Sequence, residues 1–95
     1  MYSAVKTKNK ILAIDDTLIV ELRNVKINGA LFGCSGFITD PKTSKVVYIN
    51  TDHNHHTVRE ALYRTAKDNK DYTGGQNNFA SFDDIAAKAV QLLKR

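Results

Sequence analysis

Three histidines and one aspartate lie close together near the middle of the chain, and they are its most conspicuous candidates for chemistry. The candidate metal ligands are Asp52, His53, His55 and His56. Imidazole and carboxylate groups bind zinc well. However, His55 is followed by His56 and Thr57, where a metallo-β-lactamase-like motif would have a residue of any type and then Asp-His. The pattern favours a polar connector and leaves a metal site or a pH-sensitive, anion-contacting loop open as alternatives.

A nucleophile is the next possibility, because Cys34 and Ser35 lie between two glycines. A Gly-x-Ser-x-Gly elbow would need glycine where Phe37 stands. The adjacent acids Asp15 and Asp16 are typical of a turn, in which aspartate accepts hydrogen bonds from the following backbone N–H groups. Since no acid–base or nucleophile arrangement remains, we predict a non-enzymatic protein without a cofactor.

Charge points towards an anionic partner. Lysine and arginine number 14 against 10 acids, a formal net charge of +4, which favours single-stranded DNA or RNA as a ligand. In this interpretation basic side chains contact phosphates and tyrosines stack on bases. The candidate binding residues are Lys6, Lys8, Lys10, Tyr48, Arg59, Tyr63, Arg64, Lys67, Lys70 and Tyr72.

These residues need a scaffold, and the scaffold is read from apolar runs and turn residues. Short β-branched runs predict strands near 11–14, 18–27, 30–38 and 46–50, with turns at Asn28-Gly29 and Asp40-Pro41. The acids after Ser81 and the helical apolar spacing predict a helix over 82–94 that Ser81 caps. The fold class is therefore α+β, a four- to five-stranded antiparallel β-meander packed by a C-terminal α-helix.

The segments at either end of this meander are less clear. Residues 1–10 have lysine at every second position from Lys6, which indicates either a flexible basic arm or a strand with the lysines on one face. The Thr57-x-x-Glu60 pattern resembles a capping box and favours a second helix over 57–69, with a fifth strand as the alternative. Residues 71–78, which include two adjacent glycines, are predicted to form a loop.

Both faces of the predicted sheet carry apolar residues. Because side chains alternate along a strand, Val47 and Ile49 point to one face while Val46 and Tyr48 point to the other. A bulge near Arg23-Asn24 would keep the apolar residues of the second strand inward. The second face must be covered or must bind a partner, and we expect two copies to pair there as a homodimer.

The chain is short enough for a single domain, 1–95, with no linker. It lacks a run of apolar residues long enough to span a membrane and has one cysteine, so we expect a cytoplasmic protein that does not enter the membrane.

One stretch carries a resemblance. Tyr63-Arg64-Thr65-Ala66-Lys67-Asp68, followed by Lys70 to Gly75 within the 63–78 region, resembles small uncharacterised proteins of bacterial phages and mobile elements. Such an origin agrees with an alternative function, in which the protein binds a host protein and inhibits or regulates it, as anti-CRISPR and other anti-defence proteins do.

Overall fold

The computed structural model describes residues 3–52, 56–62, 71–77 and 82–94. The elements in chain order are α1 (Ala4–Ile14), β1 (Ile19–Ile27), β2 (Ala30–Thr39), β3 (Val46–Asp52), β4 (His56–Ala61), β5 (Tyr72–Asn77) and α2 (Phe82–Lys94). The five strands form one antiparallel sheet in which each strand pairs with the next along the chain. The predicted α+β meander with a C-terminal helix on the sheet is confirmed.

Two tight turns set the register of the first three strands, as the sequence predicted. Asn28 and Gly29 have φ values of 52° and 81°, the positive values that a two-residue hairpin turn requires. At the second turn, the Asp40 side chain accepts a hydrogen bond from the Lys42 N–H at 3.0 Å. The resulting register places Ile38 opposite both Val20 and Val47.

The core lies between one face of the sheet and the two helices. Ile38, Val47 and Ile49 are buried there, together with Ile11 of α1. The predicted apolar stripe of α2 is confirmed at Ile85, Ala86, Ala89, Leu92 and Leu93. Its remaining member, the Phe82 side chain, and the predicted cap Ser81 lie outside the described part of the chain. Neither helix in the described ranges combines the length and apolar character that crossing a membrane requires.

The N-terminal segment corrects two expectations. It is neither a flexible arm over 1–10 nor a strand over 11–14, because Ala4–Ile14 is a helix. Ser3 caps it by accepting a hydrogen bond from the Lys6 N–H at 3.1 Å, and the side chain of Asn24 accepts one from the Ala4 N–H at 2.8 Å. Thr7 and Ile11, one turn apart, are buried against the sheet. The short apolar run at 11–14 is thus the last turn of a helix.

Two further predictions, the helix over 57–69 and the loop over 71–78, also differ from the structure. The preferred helix over 57–69 is wrong where the structure describes it, because His56–Ala61 is a strand, and residues 63–70 lie outside the described ranges. His56 and Val58 are buried while Thr57 and Arg59 are half-buried, an alternation of period two. The predicted loop over 71–78 contains a strand, β5, whose pairing with β4 shifts register between Val58 and Glu60.

Two glycines of β2 mark close approaches between neighbouring strands. A Cβ on Gly36 would overlap the carbonyl oxygen of Glu21, and one on Gly33 would overlap that of Thr51. The register shift between β1 and β2 falls between Val25 and Lys26 rather than near Arg23-Asn24. It does not turn the end of β1 inward, since Val25 and Ile27 are 36% and 50% exposed.

Lys94, in the last turn of α2, forms ion pairs with the C-terminal cap of α1 and with the turn between β2 and β3. Its ammonium lies 2.6 Å from Asp15, which caps α1, and 3.2 Å from Asp40. The hydrogen bond from Lys94 lowers the pKa of Asp15, with the bonds from Thr17 adding to the effect, while the Lys42 N–H does most to lower the pKa of Asp40. Both carboxylates raise the pKa of Lys94. The ion pairs therefore tie α2 to α1 and to the β2–β3 turn.

Substituting Gly36 by alanine should destabilise the protein by about 3 kcal/mol, because the new Cβ would collide with the backbone of β1. Gly29→Ala is the matched control. It also has positive φ but has open space around it, so its cost should be about 1 kcal/mol from backbone strain alone. Urea unfolding of the two variants measures the difference, and equal costs would contradict the close approach of β1 and β2.

Replacing Lys94 by methionine should lower the melting temperature at neutral pH. The lowered pKa values of Asp15 and Asp40 mean that their stabilisation is complete above the unfolded value, about 3.9. That stabilisation is lost as the pH falls further, towards the lowered values. The gap in melting temperature between wild type and variant should therefore narrow below about pH 4. Lys88→Met on the same helix is the control. A gap that stayed constant down to acid pH would contradict the proposed ion pairs.

Candidate functional site

The face of the sheet opposite the helices is the candidate site. Both described helices pack on the other face, with the aliphatic core between. On this side, which no described helix covers and which we call the open face, the alternating side chains of β2 and β3 include Phe37 and Tyr48, which lie directly opposite each other. Tyr72 of β5 joins them from the far side of β4.

Three aromatic rings form a continuous row across the open face. The ring centroids of Phe37 and Tyr48 are 5.6 Å apart, and those of Tyr48 and Tyr72 are 5.3 Å apart. The planes are tilted by 55° and 58°, a geometry that aromatic pairs prefer over a face-to-face sandwich. All three residues are partly exposed, so the row presents ring surface to solvent.

A small apolar cluster on the same face packs against this row. Val46 and Ala61 are 8% and 9% exposed, and Phe37 and Tyr72 pack against them. The cluster is separate from the main core on the helix side. Because two of the rings pack on buried neighbours and the Tyr48 ring lies between them, their positions are restricted before any ligand arrives, which lowers the entropy cost of binding.

Two arginines flank the aromatic row. Arg59 on β4 is the cross-strand neighbour of Tyr48, and Arg23 on β1 lies opposite Ser35. Both are close enough to act on the Tyr48 phenol electrostatically. Neither guanidinium forms an ion pair with another residue of the described ranges. The charged groups beside the row are these two guanidinium groups together with the carboxylates of Glu21 and Asp71.

The two tyrosines stay protonated at neutral pH. Burial is the main cause that raises the pKa of Tyr48, and the neighbouring Tyr72 raises it further, while Arg23 and Arg59 act in the opposite direction. Burial also raises the pKa of Tyr72, with a contribution from Asp71. Both side chains can thus act as neutral rings and hydroxyl donors.

Between the aromatic row and β1 the surface dips into an open depression of about 640 Å³. Its lining residues are Glu21, Leu22, Arg23, Ser35, Gly36, Phe37, Tyr48 and Tyr72. Among these described residues there is one carboxylate and no histidine or cysteine. The depression offers aromatic surface, the hydroxyls of Ser35 and the two tyrosines, a carboxylate and a guanidinium.

The structure brings together three of the residues predicted for binding and separates three others from them. Tyr48, Arg59 and Tyr72 share the open face. Lys6, Lys8 and Lys10 lie on α1, across the sheet, where Lys10 pairs with Asp83. The remaining candidates, Tyr63, Arg64, Lys67 and Lys70, lie outside the described residues.

Sequence reasoning missed Arg23 as a binding residue, and it placed Phe37 on the second face of the sheet without including it among the candidate binding residues. The alternation of side chains along a strand was the signal for both residues. Once Leu18, Val20 and Leu22 are assigned to the core, Arg23 must point to the opposite face of β1. The Asn28-Gly29 turn then fixes its position two strands away from Tyr48.

Of the proposed metal ligands, the structure describes Asp52 and His56. Both are nearly buried, at 7% and 8% exposure, and Nδ1 of His56 is hydrogen-bonded to the hydroxyl of Thr51 on the neighbouring strand. The other two candidates, His53 and His55, lie outside the described part of the chain. Within that part, no three His, Cys, Asp or Glu side chains are grouped as metal ligands would be.

Cys34 is fully buried beneath α1. Its sulfur lies 3.3 Å from the hydroxyl of Thr7, the buried polar residue of that helix. Burial raises the pKa of the thiol, which disfavours the reactive thiolate. Cys34 is therefore an unreactive core cysteine that is hydrogen-bonded to Thr7.

Comparison of the chain with family models, with curated protein sequences and with solved structures found no match.

The thiol of Cys34 should resist labelling in the native protein. A disulfide reagent such as dithiodipyridine should react only as fast as the structure opens, and immediately in denaturant, because the sulfur has no solvent exposure. The double variant Cys34→Ser/Ser35→Cys, which moves the thiol to the open face, should react rapidly without denaturant. Rapid labelling of the native wild-type protein would contradict the packing of α1 over Cys34.

Proposed function

We propose that this chain is a non-enzymatic protein that binds single-stranded nucleic acid on its open face. The aromatic row of Phe37, Tyr48 and Tyr72, flanked by Arg23 and Arg59, is the observation that carries the proposal. Sheets that bind single-stranded RNA use partly exposed aromatic side chains in the same way, with one base stacked on each ring. The free thiol of Cys34 suits a reducing compartment such as the cytoplasm.

The type of nucleic acid follows from the shape of the surface. Rings supported in a sheet can stack on a base only where the face of that base is free, as it is in a single strand and is not in a stacked duplex. Stacking does not depend strongly on base identity, because every base has a π-face. We therefore expect single strands to bind with modest sequence preference.

Arginine completes the interaction in two ways. A guanidinium pairs with phosphate oxygens through its fixed fork of N–H donors, and it also stacks on bases. Arg23 and Arg59 lie on either side of Tyr48, so a strand crossing the row would pass between two phosphate ligands. The overall charge of +4 favours the approach of the strand from a distance.

The direct test is fluorescence anisotropy with short labelled single-stranded DNA and RNA. Tyr48→Leu keeps an apolar side chain but removes the ring, so it should weaken binding by one to two powers of ten, since a stacked base contributes about 1–3 kcal/mol. Tyr48→Phe, which keeps the ring, should bind almost as wild type does. Thermal melts of both variants check that the fold is intact.

The arginines should act through charge. The logarithm of affinity should fall linearly with the logarithm of salt concentration, and Arg23→Ala or Arg59→Ala should each reduce the slope by about 0.7, the value for one phosphate contact on a single strand. Lys6→Ala and Lys8→Ala, on the other side of the sheet, are matched controls that should change the slope little. If the α1 variants had the larger effect, the open face would not be the site.

The same measurement decides against the alternative. Aromatic side chains and arginine are also the residues that dominate protein–protein interfaces. A chain that bound neither oligonucleotide at low salt would overturn the nucleic-acid proposal and leave a host protein as the ligand of this face.

A further inference from the structure

Strand β1 lies at the edge of the described sheet, where its outer side can pair with another strand. Its nine residues, Ile19–Ile27, pair with β2 on one side, and no described strand lies on the other. Ile19, Val25 and Ile27 are 40%, 36% and 50% exposed. Long edge strands with exposed apolar side chains tend to pair with another strand unless charges or bulges prevent it.

The turns at the two ends of β2 show which backbone groups of β1 face outward. In a two-residue hairpin the flanking residues, here Ile27 and Ala30, exchange the closing hydrogen bonds. A register shift lies between this turn and the middle of β1, and the turn between β2 and β3 fixes the pattern beyond it: the Asp40 N–H donates to the Lys45 carbonyl at 3.0 Å. The even-numbered residues of β2 thus bond to β3, and its odd-numbered residues bond to β1. Because odd-numbered residues of β1 and β2 lie opposite each other there, the odd-numbered residues of β1 bond to β2. The even-numbered residues, Val20, Leu22 and Asn24, therefore direct their N–H and C=O groups to the free edge.

The side chains along this edge are self-complementary. If two β1 strands pair antiparallel with Leu22 on the two-fold axis, Glu21 lies opposite Arg23 of the second copy. Ile19 then lies opposite the second copy's Val25, so the pairing joins two opposite-charge pairs and two apolar pairs. Moving the axis by one residue, to Glu21 or Arg23, places like charges opposite each other. Only the register centred on Leu22 fits both the charges and the outward N–H and C=O groups.

We propose that two copies of this chain pair through their β1 edges in this register and form a ten-stranded antiparallel sheet. Packing of two open faces, the dimer expected from the sequence, is less favourable because it would bring Arg23 and Arg59 of both copies out of water together. Edge pairing leaves the open faces exposed and, since the two-fold axis is perpendicular to the sheet, puts both on the same side.

This arrangement has a consequence for ligand binding, which rests on the proposed function. Five strand spacings separate Tyr48 of one copy from Tyr48 of the other, a distance of about 24 Å. One continuous single strand would therefore cross two aromatic rows, and its affinity would rise through the high effective concentration of the second row.

Sedimentation over a wide protein concentration range, without nucleic acid, tests the dimer. Wild type should dimerise, and Glu21→Arg or Arg23→Glu should weaken the dimer at least tenfold by setting like charges opposite each other. The double variant Glu21→Arg/Arg23→Glu should restore it, because the pairs are exchanged and not lost. Lys26→Glu, on the same strand but outside the charge pairs, is the control and should leave the dimer unchanged.

A cross-linking measurement covers the case in which a charge variant fails to fold. Opposed residues at this type of position have Cα atoms about 4.5 Å apart, within reach of a disulfide. A mixture of Glu21→Cys and Arg23→Cys chains should thus form disulfide-linked heterodimers under mild oxidation. Each variant alone should not, because residues two positions out of register are too far apart.

The outcomes separate the two proposals. A wild type that stays monomeric at hundreds of micromolar, or single-cysteine variants that cross-link as well alone as in the mixture, would overturn the β1 pairing. A monomer that still binds oligonucleotide would overturn the dimer alone. A dimer that binds no oligonucleotide would retain the dimer and remove the proposed function.

Discussion

The structure depends on one constraint, the alternation of side chains along β2 and β3. In these two adjacent strands both sets of positions carry apolar residues, so the sheet is apolar on both faces. The aliphatic set, which includes Ile38, Val47 and Ile49, is covered by two helices. The aromatic set, Phe37 and Tyr48, lies on the face that no described helix covers. Strand register therefore decides which residues form the core and which form the candidate site.

The close spacing of the strands protects that register. Side chains at positions 33 and 36 would overlap the backbones of neighbouring strands, so glycine at both lets β2 lie tightly between β1 and β3. A slip by one residue would bring a side chain to these places and would exchange the two faces along the whole strand. Stability and binding surface are thus coupled, because the same pairing buries Ile38 and exposes Phe37.

The helices are fixed to the sheet by polar contacts at their ends. Asn24 accepts a hydrogen bond from the first turn of α1, while Lys94 joins the last turn of α2 to Asp15 and Asp40. Both sets of contacts bind the helices to the side of the sheet that carries the aliphatic residues. The charged residues near the aromatic row are Arg23, Arg59, Glu21 and Asp71, and none of them takes part in these contacts.

The sequence by itself determined the parts whose signals are local. Asn28-Gly29 can take the positive φ angles of a hairpin turn at low cost, Asp40-Pro41 favours a turn, and residues 82–94 have an apolar stripe at helical spacing. Only the tertiary structure decided the secondary structure of α1, β4 and β5. The intrinsic helix and strand propensities of these segments are weak, so contacts with neighbouring elements determine which structure forms. Caps from Ser3 and Asn24 and the burial of Thr7 and Ile11 make 4–14 helical despite its β-branched end. Pairing with β3 makes a strand of a Thr-x-x-Glu segment that could equally begin a helix. The aromatic row belongs to the same class, since Tyr48 and Tyr72 are far apart in the chain and meet only because β4 pairs with both of their strands.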